Sequence, residues 1–195
     1  AKATAPSCRA GLVVCGNTRA RRRRISASAN STGVATRAMR CCSQRPPPSR
    51  KEGAPLSALA LDVDRFKNIN DSLGHSVGDE LLVELARRLT HFLRPGDTVA
   101  RLGGDEFAIL LPETGRNVAE VILQKIQRIN LEIMQRYGWP VTLSIGVVTF
   151  TSPPSTVDEA LRISDQLMYS AKSNGKNNIR YEVFEAREWP PVTKA

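Results

Sequence analysis

The sequence predicts an α+β fold of the ferredoxin-like, palm type, in which helices flank an antiparallel sheet and a disordered tail precedes the domain. From residue 55 onward, apolar runs of strand length alternate with three long segments whose apolar residues recur at helical spacing. Near residue 52 the composition changes abruptly, because a segment rich in Arg, Ser and Pro ends there.

The tail comprises residues 1–54. Its first 51 residues hold twelve Lys or Arg and no Asp or Glu, so the formal charge of +9 belongs to the tail. It shows no helical or strand periodicity and buries too little apolar surface to offset ordering, which predicts disorder. Four interpretations stay open: a nucleic-acid- or lipid-binding arm, an organelle transit peptide, a solvated linker, or frame-shifted translation of GC-rich DNA that is not native coding sequence. The abrupt change of composition favours the last.

The four cysteines all lie in this tail, at spacings that fit no zinc site and with no histidine nearby. We therefore expect reduced thiols in a cytoplasmic chain. No apolar run approaches the length of a membrane span, so none is predicted. Binding to nucleic acid is expected only through the basic tail.

Residues 55–184 are predicted to form one domain, followed by a C-terminal tail at residues 185–195. Strands are predicted at residues 56–63, 98–100, 107–111, 141–150 and 179–184. Long helices are predicted at residues 79–93, 117–134 and 157–173, with a short helical turn after the first strand. The run 107–111 is apolar on both faces, which predicts a central strand, and the last strand is expected at an edge.

Helix ends carry recognisable signals. The helix at 79–93 has an apolar stripe that includes Leu82, Leu85 and Leu89, and Pro95-Gly96 stops it. Gly175 is expected to cap the helix at 157–173. These signals set the order β-α-β-β-α-β-α-β.

Residues Gly103 to Phe107 read GGDEF and lie between two apolar runs. Two glycines between strands predict a tight hairpin, since glycine adopts positive φ at low steric cost. This places Asp105 and Glu106 at the hairpin tip, while Asp62 and Asp64 end the first strand. Carboxylates at the ends of two strands can hold a hard cation such as Mg²⁺.

Further clusters surround these acids, and together they carry a resemblance. They are Phe66-Lys67-Asn68-Ile69-Asn70-Asp71 with Gly74-His75 and Gly78-Asp79, Arg94-Pro95-Gly96-Asp97, Thr142-Leu143-Ser144-Ile145-Gly146, and Met168-Tyr169-Ser170-Ala171-Lys172 with Gly175-Lys176-Asn177. Residues 55–183 resemble a GGDEF domain, the diguanylate cyclase family. The resemblance implies that a homodimer condenses two GTP into cyclic di-GMP, with Mg²⁺ or Mn²⁺ as cofactor. The ribose 3′-hydroxyl of one GTP attacks the α-phosphorus of the other and expels pyrophosphate.

By this resemblance, Asp62, the Val63 carbonyl, Asp105 and Glu106 are the metal ligands. Asp105 is also the catalytic base, and Lys67 stabilises developing charge, whereas Asp64 is structural. Neighbouring strand residues point to opposite faces, so Asp105 and Glu106 share one metal only if the turn breaks that alternation.

The resemblance assigns Asn70 and Asp79 to guanine, and His75, Gly103 and Gly104 to the nucleotide. It assigns Lys172 and Lys176 to the β- and γ-phosphates, on one face at the end of the third helix. Simpler interpretations remain open: Asp79 as a helix-dipole partner, His75 as a turn residue, and the two lysines as a solvated helix end.

Arg94 and Asp97 fall where many members of the family carry an RxxD product-binding site. The resemblance implies feedback inhibition by cyclic di-GMP at this allosteric site. The alternative is an arginine at a helix end that pairs with an aspartate in a turn.

Two departures from the family pattern matter. The family's first helix and its D-x-L-T-G-L-x-N-R stretch are not found, and their loss is expected to uncover apolar sheet surface. A catalytically impaired domain that only binds cyclic di-GMP or GTP is therefore the alternative function. No Walker motif is present, Ser144 is expected in the core, and no sensory or phosphodiesterase domain is visible.

Overall fold

The structure of the chain, a computed structural model, describes residues 13–15, 54–151, 154 and 156–184. The strands are β1 (Val13–Cys15), β2 (Leu56–Asp64), β3 (Thr98–Gly103), β4 (Glu106–Pro112), β5 (Thr142–Phe150) and β6 (Ile179–Phe184). The helices among these residues are α1 (Phe66–Leu73), α2 (His75–Phe92), α3 (Arg116–Tyr137) and α4 (Val157–Ser173).

The strands form one sheet in the order β1-β3-β4-β2-β5-β6. All neighbouring pairs are antiparallel except β5 and β6, which are parallel because the crossover through α4 links them. Strands β2 to β6 confirm the predicted ferredoxin-like α+β fold. The predicted central strand β4 is flanked by β2 and β3, and β6 lies at an edge, as the sequence indicates.

Strand β1 departs from the prediction for the tail. Val13 to Cys15 pair antiparallel with Thr98 to Ala100 of β3, although they lie inside the segment predicted to be disordered. Two of these three residues are valines, which favour strands. The other predicted features of the tail, including the arginine block, and the predicted C-terminal tail at 185–195 lie outside the described residues.

Alternation along β2 divides the core into two layers. Leu59, Leu61 and Val63 point to one face, where α1, α2 and α3 pack, and Ala58 points to the other, where α4 packs. The same alternation places Asp62 and Asp64 on the α4 side. The sheet therefore turns both carboxylates toward the C-terminal end of α4.

Gly146 of β5 allows α4 to lie directly on the sheet. A Cβ atom at this position would collide with the backbone of α4 at Ser164 and Met168. Glycine removes that obstacle, so helix and strand approach to backbone contact. This close approach sets how far Lys172, in the last turn of α4, lies from β2.

The expectation of uncovered apolar sheet surface is wrong for the described residues. On the α4 side, Ala100, Ala108 and Leu110 of β3 and β4 are all buried. Ala108 and Leu110 belong to a cluster against which partly buried hydrophobic residues pack, namely Leu102, Leu161, Ile163 and Leu167. The large apolar side chains that are exposed lie instead mostly on the outer faces of the helices, with Val183 and Phe184 on the edge strand.

Candidate active site

The hairpin between β3 and β4 has a two-residue loop, Gly104-Asp105, which Gly103 and Glu106 close as a pair. Gly104 has φ of 48°, in the left-handed region that glycine tolerates best. The Nε of Arg101 donates to the carbonyl of Gly104 at 2.8 Å and holds the loop from the β3 side. The glycine pair thus forms the tight turn that the sequence predicts.

Three carboxylates converge beside this hairpin. Asp62 lies directly opposite Glu106 in the β2–β4 ladder, so both side chains leave the same face of the sheet. The amide of Val63 donates to the carbonyl of Asp105 at 3.2 Å. Because Asp105 lies in the turn and not in a strand, strand alternation does not separate it from Glu106. The loop therefore brings both acids to Asp62.

Asp62 is buried and only half satisfied. Its Oδ2 accepts a hydrogen bond from Lys172 Nζ at 2.7 Å, whereas its Oδ1 is buried with no hydrogen-bond partner among the described residues. An unpaired buried carboxylate oxygen costs free energy, so its presence needs an explanation. A cation that enters the site would supply the missing partner.

Burial and mutual repulsion raise the pKa values of the two acids beside Asp62. Burial raises the pKa of Asp105, and the negative charge of Asp62 raises it further. Burial likewise raises the pKa of Glu106, with added repulsion from Asp62 and Asp165. Burial by itself would lower the pKa of Lys172, but the hydrogen bond and charge of Asp62 outweigh it and raise that pKa. The site is thus a concentration of negative charge with one resident ammonium group.

The donor set fits a hard cation such as Mg²⁺. Among the described residues, no group of three or more His, Cys, Asp or Glu is already arranged to hold a metal ion. Mg²⁺ is usually bound by one or two carboxylates together with substrate phosphates and water, so a full protein cage is not required. The unpaired Oδ1 of Asp62, with Asp105 and Glu106 beside it, meets that requirement.

Asp64 differs sharply from Asp62, two residues earlier on the same face. It is fully buried and accepts hydrogen bonds from Thr142 Oγ1 at 2.7 Å, Ser144 Oγ at 2.7 Å and the amide of Asn177 at 2.8 Å. These contacts agree with the prediction that Asp64 is structural. They also place Ser144 in the core, with its hydroxyl committed to Asp64.

Asn70 lies in the last turn of α1 and faces Gly78 of α2. Its Oδ1 is buried and has no hydrogen-bond partner among the described residues. A Cβ atom at position 78 would collide with this oxygen and press on the ring of Phe66, so glycine makes room for the amide. An amide oxygen left without a partner retains its capacity to accept a hydrogen bond from a ligand donor.

Three of the other residues that the resemblance assigns to GTP lie on the first two helices and are exposed. Lys67, His75 and Asp79 line α1 and α2 with their side chains in solvent. Helix α2 begins at His75, four residues before the predicted start, so Asp79 lies in its second turn and no acid lies in the first. The interpretation of Asp79 as a helix-dipole partner therefore loses its basis, because that effect fades beyond the first turn.

Lys172 and Lys176 do not share a helical face, so this prediction is wrong. Helix α4 ends at Ser173, and the chain turns through Gly175 with φ of 106°. Lys176 lies in this turn, exposed and with φ of 61°. The hydrogen bond from the amide of Asn177 to Asp64 still anchors the turn to the end of β2.

Arg94 and Asp97 form an ion pair just before β3, at the opposite end of that strand from the hairpin. Arg94 Nε donates to Asp97 Oδ1 at 3.1 Å, and the Arg94 amide donates to Oδ2 at 3.1 Å. Asp97 is buried, which raises its pKa against the opposing effect of Arg94. The Arg94 side chain remains 52% exposed, so the pairing leaves much of this side chain open to solvent.

Two residues near these sites escaped the sequence analysis. Asp165 precedes Lys172 by two helical turns on α4, and its charge acts on Glu106. Thr114 follows β4 and accepts from Arg94 Nη2 at 2.8 Å. The spacing of Asp165 from Lys172 was visible in the sequence, whereas no local signal marks Thr114.

Comparisons with known proteins show which family this chain resembles. The profile described as "Diguanylate cyclase, GGDEF domain" matches residues 42–178, which begins ahead of the predicted domain boundary at residue 55. Diguanylate cyclase DosC of Escherichia coli (strain K12) is 36% identical over 135 residues, or 67% of this chain and 29% of DosC. This chain therefore spans less than a third of the length of that relative.

Solved structures show the same likeness. Diguanylate cyclase SiaD of Pseudomonas aeruginosa, solved with its activator SiaC, matches with a TM-score of 0.65 and 31% identity, covering 77% of this chain and 57% of SiaD. A microbial GGDEF domain studied for its interaction with cyclic di-GMP matches with a TM-score of 0.62 and 28% identity, covering 78% and 93%. Within the described residues, no helix is long and apolar enough to cross a membrane.

Proposed function

Because the chain belongs to the GGDEF domain family of diguanylate cyclases, we propose that it condenses two GTP molecules into cyclic di-GMP and pyrophosphate at a dimer interface. The observation that carries this proposal is the convergence of Asp62, Asp105 and Glu106 at the hairpin, beside Lys172. This arrangement matches what phosphoryl transfer requires, namely charge neutralisation and positioning.

The protein's own groups have distinct tasks in this proposal. Asp105 accepts the proton of the ribose 3′-hydroxyl as its oxygen attacks the α-phosphorus and pyrophosphate leaves. Burial and the negative charge of Asp62 raise the pKa of Asp105, so its carboxylate accepts a proton more readily than an exposed aspartate does. Lys67, Lys172 and Lys176 stabilise the charge on the phosphate oxygens.

Asp62, Asp105, Glu106 and the Val63 carbonyl would hold Mg²⁺ or Mn²⁺. When bound, such an ion supplies charge neutralisation for the triphosphate and lowers the pKa of the attacking hydroxyl. The unpaired Oδ1 of Asp62 supports this assignment.

Guanine selectivity rests on Asn70 and Asp79. A carboxylate accepts from the N1–H and exocyclic amine of guanine, and adenine lacks that pair of donors. The Asn70 Oδ1 has no hydrogen-bond partner among the described residues and packs against Gly78, so it retains the capacity to accept from the base edge. His75, Gly103 and Gly104 would complete the nucleotide contacts.

Arg94 and Asp97 would bind the product and inhibit turnover. They lie at the far end of β3 from the hairpin, so a bound cyclic di-GMP would not compete for the same groups. The half-exposed Arg94 side chain suits a phosphate or a guanine edge, both of which accept hydrogen bonds from a planar guanidinium.

The proposal is tested with the full chain, GTP and Mg²⁺, by chromatographic measurement of cyclic di-GMP and pyrophosphate. We expect product from the unmodified chain, more product from Arg94→Ala if feedback limits it, and none from Asp105→Asn. Glu182→Gln, which changes an exposed acid on β6, is the matched control. Absence of dinucleotide from both the unmodified chain and Arg94→Ala would refute the cyclase activity.

A binding module without turnover is the second candidate. The ion pair between Lys172 and Asp62 favours it, because it occupies one oxygen of the central carboxylate. In that case cyclic di-GMP binding survives Asp105→Asn and is lost in Arg94→Ala, while no dinucleotide forms. The same set of variants therefore separates the two functions.

A further inference from the structure

The Arg94 guanidinium is held at several atoms. Its Nε donates to Asp97 Oδ1, while its Nη2 donates to the carbonyl of Pro112 and to Thr114 Oγ1, the latter at 2.8 Å. No acceptor for Nη1 is found in the part of the chain that the structure describes. The Nη1 edge of a half-exposed side chain is thus left for an outside acceptor.

Thr114 is the residue that connects this arginine to the rest of the domain. It is fully buried, and its hydroxyl donates to Pro112 O at 3.0 Å while accepting from Arg94. Its amide donates to Pro55 O at 3.0 Å, and its carbonyl accepts from Ser57 Oγ at 2.8 Å. Every polar atom of Thr114 therefore has a partner, which gives the side chain one orientation.

Behind Thr114, a chain of buried hydroxyl groups crosses the sheet. Ser57 Oγ of β2 lies 2.7 Å from Thr149 Oγ1 of β5, which lies 2.6 Å from Tyr181 Oη of β6. Ser57 and Thr149 are almost fully buried. Connected buried hydrogen bonds of this kind rigidify the groups at their ends.

We propose that Thr114 is a positioning residue for product binding, and that its hydroxyl fixes the Arg94 guanidinium with the Nη1 edge turned outward. The inference rests on the proposed role of Arg94 and Asp97 in binding cyclic di-GMP. A long arginine side chain loses conformational entropy when it binds, and fixing it beforehand reduces that loss. Pro112 and Asp97 restrain the guanidinium as well, but of these three residues only Thr114 is bonded to the buried hydroxyl chain, through its main-chain carbonyl and Ser57 Oγ.

The test measures cyclic di-GMP binding to the full chain by calorimetry. Thr114→Val keeps the shape and removes the hydroxyl, and we expect the dissociation constant to rise about threefold to tenfold, the factor for ordering one long side chain. Thr114→Ser keeps the hydroxyl and should restore the affinity. The NMR signal of Arg94 Nε–H should stay sharp in Thr114→Ser, which keeps the hydroxyl, and broaden in Thr114→Val, which lacks it. A simple packing role would not predict this difference.

Each result decides the inference. Weaker binding by Thr114→Val with recovery in Thr114→Ser supports it, and equal affinity of Thr114→Val and the unmodified chain overturns it. Equal weakening in both variants also overturns it, since packing and not the hydroxyl would then matter. If Thr114→Val does not fold, Ser57→Ala should give a smaller rise, and an unchanged constant counts against the proposal. An unmodified chain that binds no cyclic di-GMP refutes the product site itself, a separate failure.

Discussion

Asp62 and Asp64 illustrate how two chemically identical side chains acquire different tasks. They lie two residues apart on the same face of β2, and both are buried. Asp64 accepts three hydrogen bonds, while one oxygen of Asp62 has no partner among the described residues. The satisfied carboxylate stabilises the fold, and the unsatisfied one is kept at a cost in stability, as functional groups often are.

Matched substitutions should separate these tasks. Asp64 accepts hydrogen bonds from three donor groups, and Asp64→Asn replaces one of its accepting oxygens with an NH₂ group that can only donate. We therefore expect a loss of about 2 kcal/mol in the free energy of unfolding. Asp62→Asn breaks the pairing with Lys172, but it also removes the repulsion with Asp105 and Glu106 and the desolvation cost of a buried charge. These effects offset, so stability should change by less than about 1 kcal/mol while turnover is lost. Urea denaturation and the GTP assay measure both quantities. Equal destabilisation by the two variants would contradict this account.

At the scale of elements, the site depends on how α4 sits on the sheet. Backbone contact at Gly146 lets Lys172 reach Asp62, and the turn after α4 reaches Asp64 through Asn177. On the other face, α2 and α3 are joined by Arg88, which bonds both Glu84 of its own helix and Glu132 of α3. The contacts of α4 with the sheet, and not the loops alone, position the site.

Gly146→Ala should displace α4. The added methyl group meets backbone atoms of Ser164 and Met168, which cannot move separately, so we expect a loss of about 2–3 kcal/mol in unfolding free energy. Gly115→Ala is the matched control, because its Cβ would make ordinary contact with Pro55 and φ there is negative. Thermal unfolding of both variants checks this. Similar melting temperatures for the two would show that α4 does not approach β5 so closely.

Glu84 should make the α2 surface sensitive to acid. Hydrogen bonding to Arg87 lowers the pKa of Glu84 from 4.5 to about 2, with Arg88 adding to the effect and burial opposing it. A lowered folded-state pKa means that this stability is present above pH 4.5 and is lost as pH falls toward 2. Because the salt bridge to Arg87 is largely solvated, we expect Glu84→Gln to cost about 1 kcal/mol at pH 7.

The measurement is the difference in unfolding free energy between Glu84→Gln and the unmodified chain at pH 7 and pH 3. The difference should shrink at the lower pH. Glu120→Gln removes an exposed ion pair with Arg116 and serves as the control with a smaller effect. A difference in unfolding free energy that grows on acidification would contradict the predicted direction of the pH dependence.

At the scale of the whole molecule, the described residues contain one such hairpin with one set of acids, so in the proposed reaction each copy holds one GTP and two copies meet for turnover. We therefore expect the specific activity of the full chain to fall on dilution, with initial rate rising as the square of protein concentration below the dissociation constant of the dimer. A dilution series of the cyclase assay, paired with analytical ultracentrifugation, measures this. Constant specific activity in a range where the chain is monomeric would exclude the dimer mechanism.

Much of the architecture followed from local patterns. The strand at 179–184 and the helix at 157–173 agree with the structure at both ends, because apolar periodicity and the following glycine define them locally. The start of α2 and the end of α3 were less predictable. The first turn of α2 and the last turn of α3 are largely polar, so apolar periodicity does not mark these helix ends. Strand β1 was missed because three residues contain no periodicity.

The sequence by itself determined the family of the domain, the tight hairpin at Gly104 and the identity of the acids, because spacing and residue type are local properties. Only the tertiary structure decided which acid is satisfied and which is not, that Lys172 binds Asp62 while Lys176 lies in a turn, and that Thr114 holds Arg94. The hydrogen bonds to Arg94, Asp62 and Asp64 join residues 20 to 113 positions apart, and strand register and the approach of α4 to the sheet set them. No local pattern in the chain encodes a contact between segments that far apart.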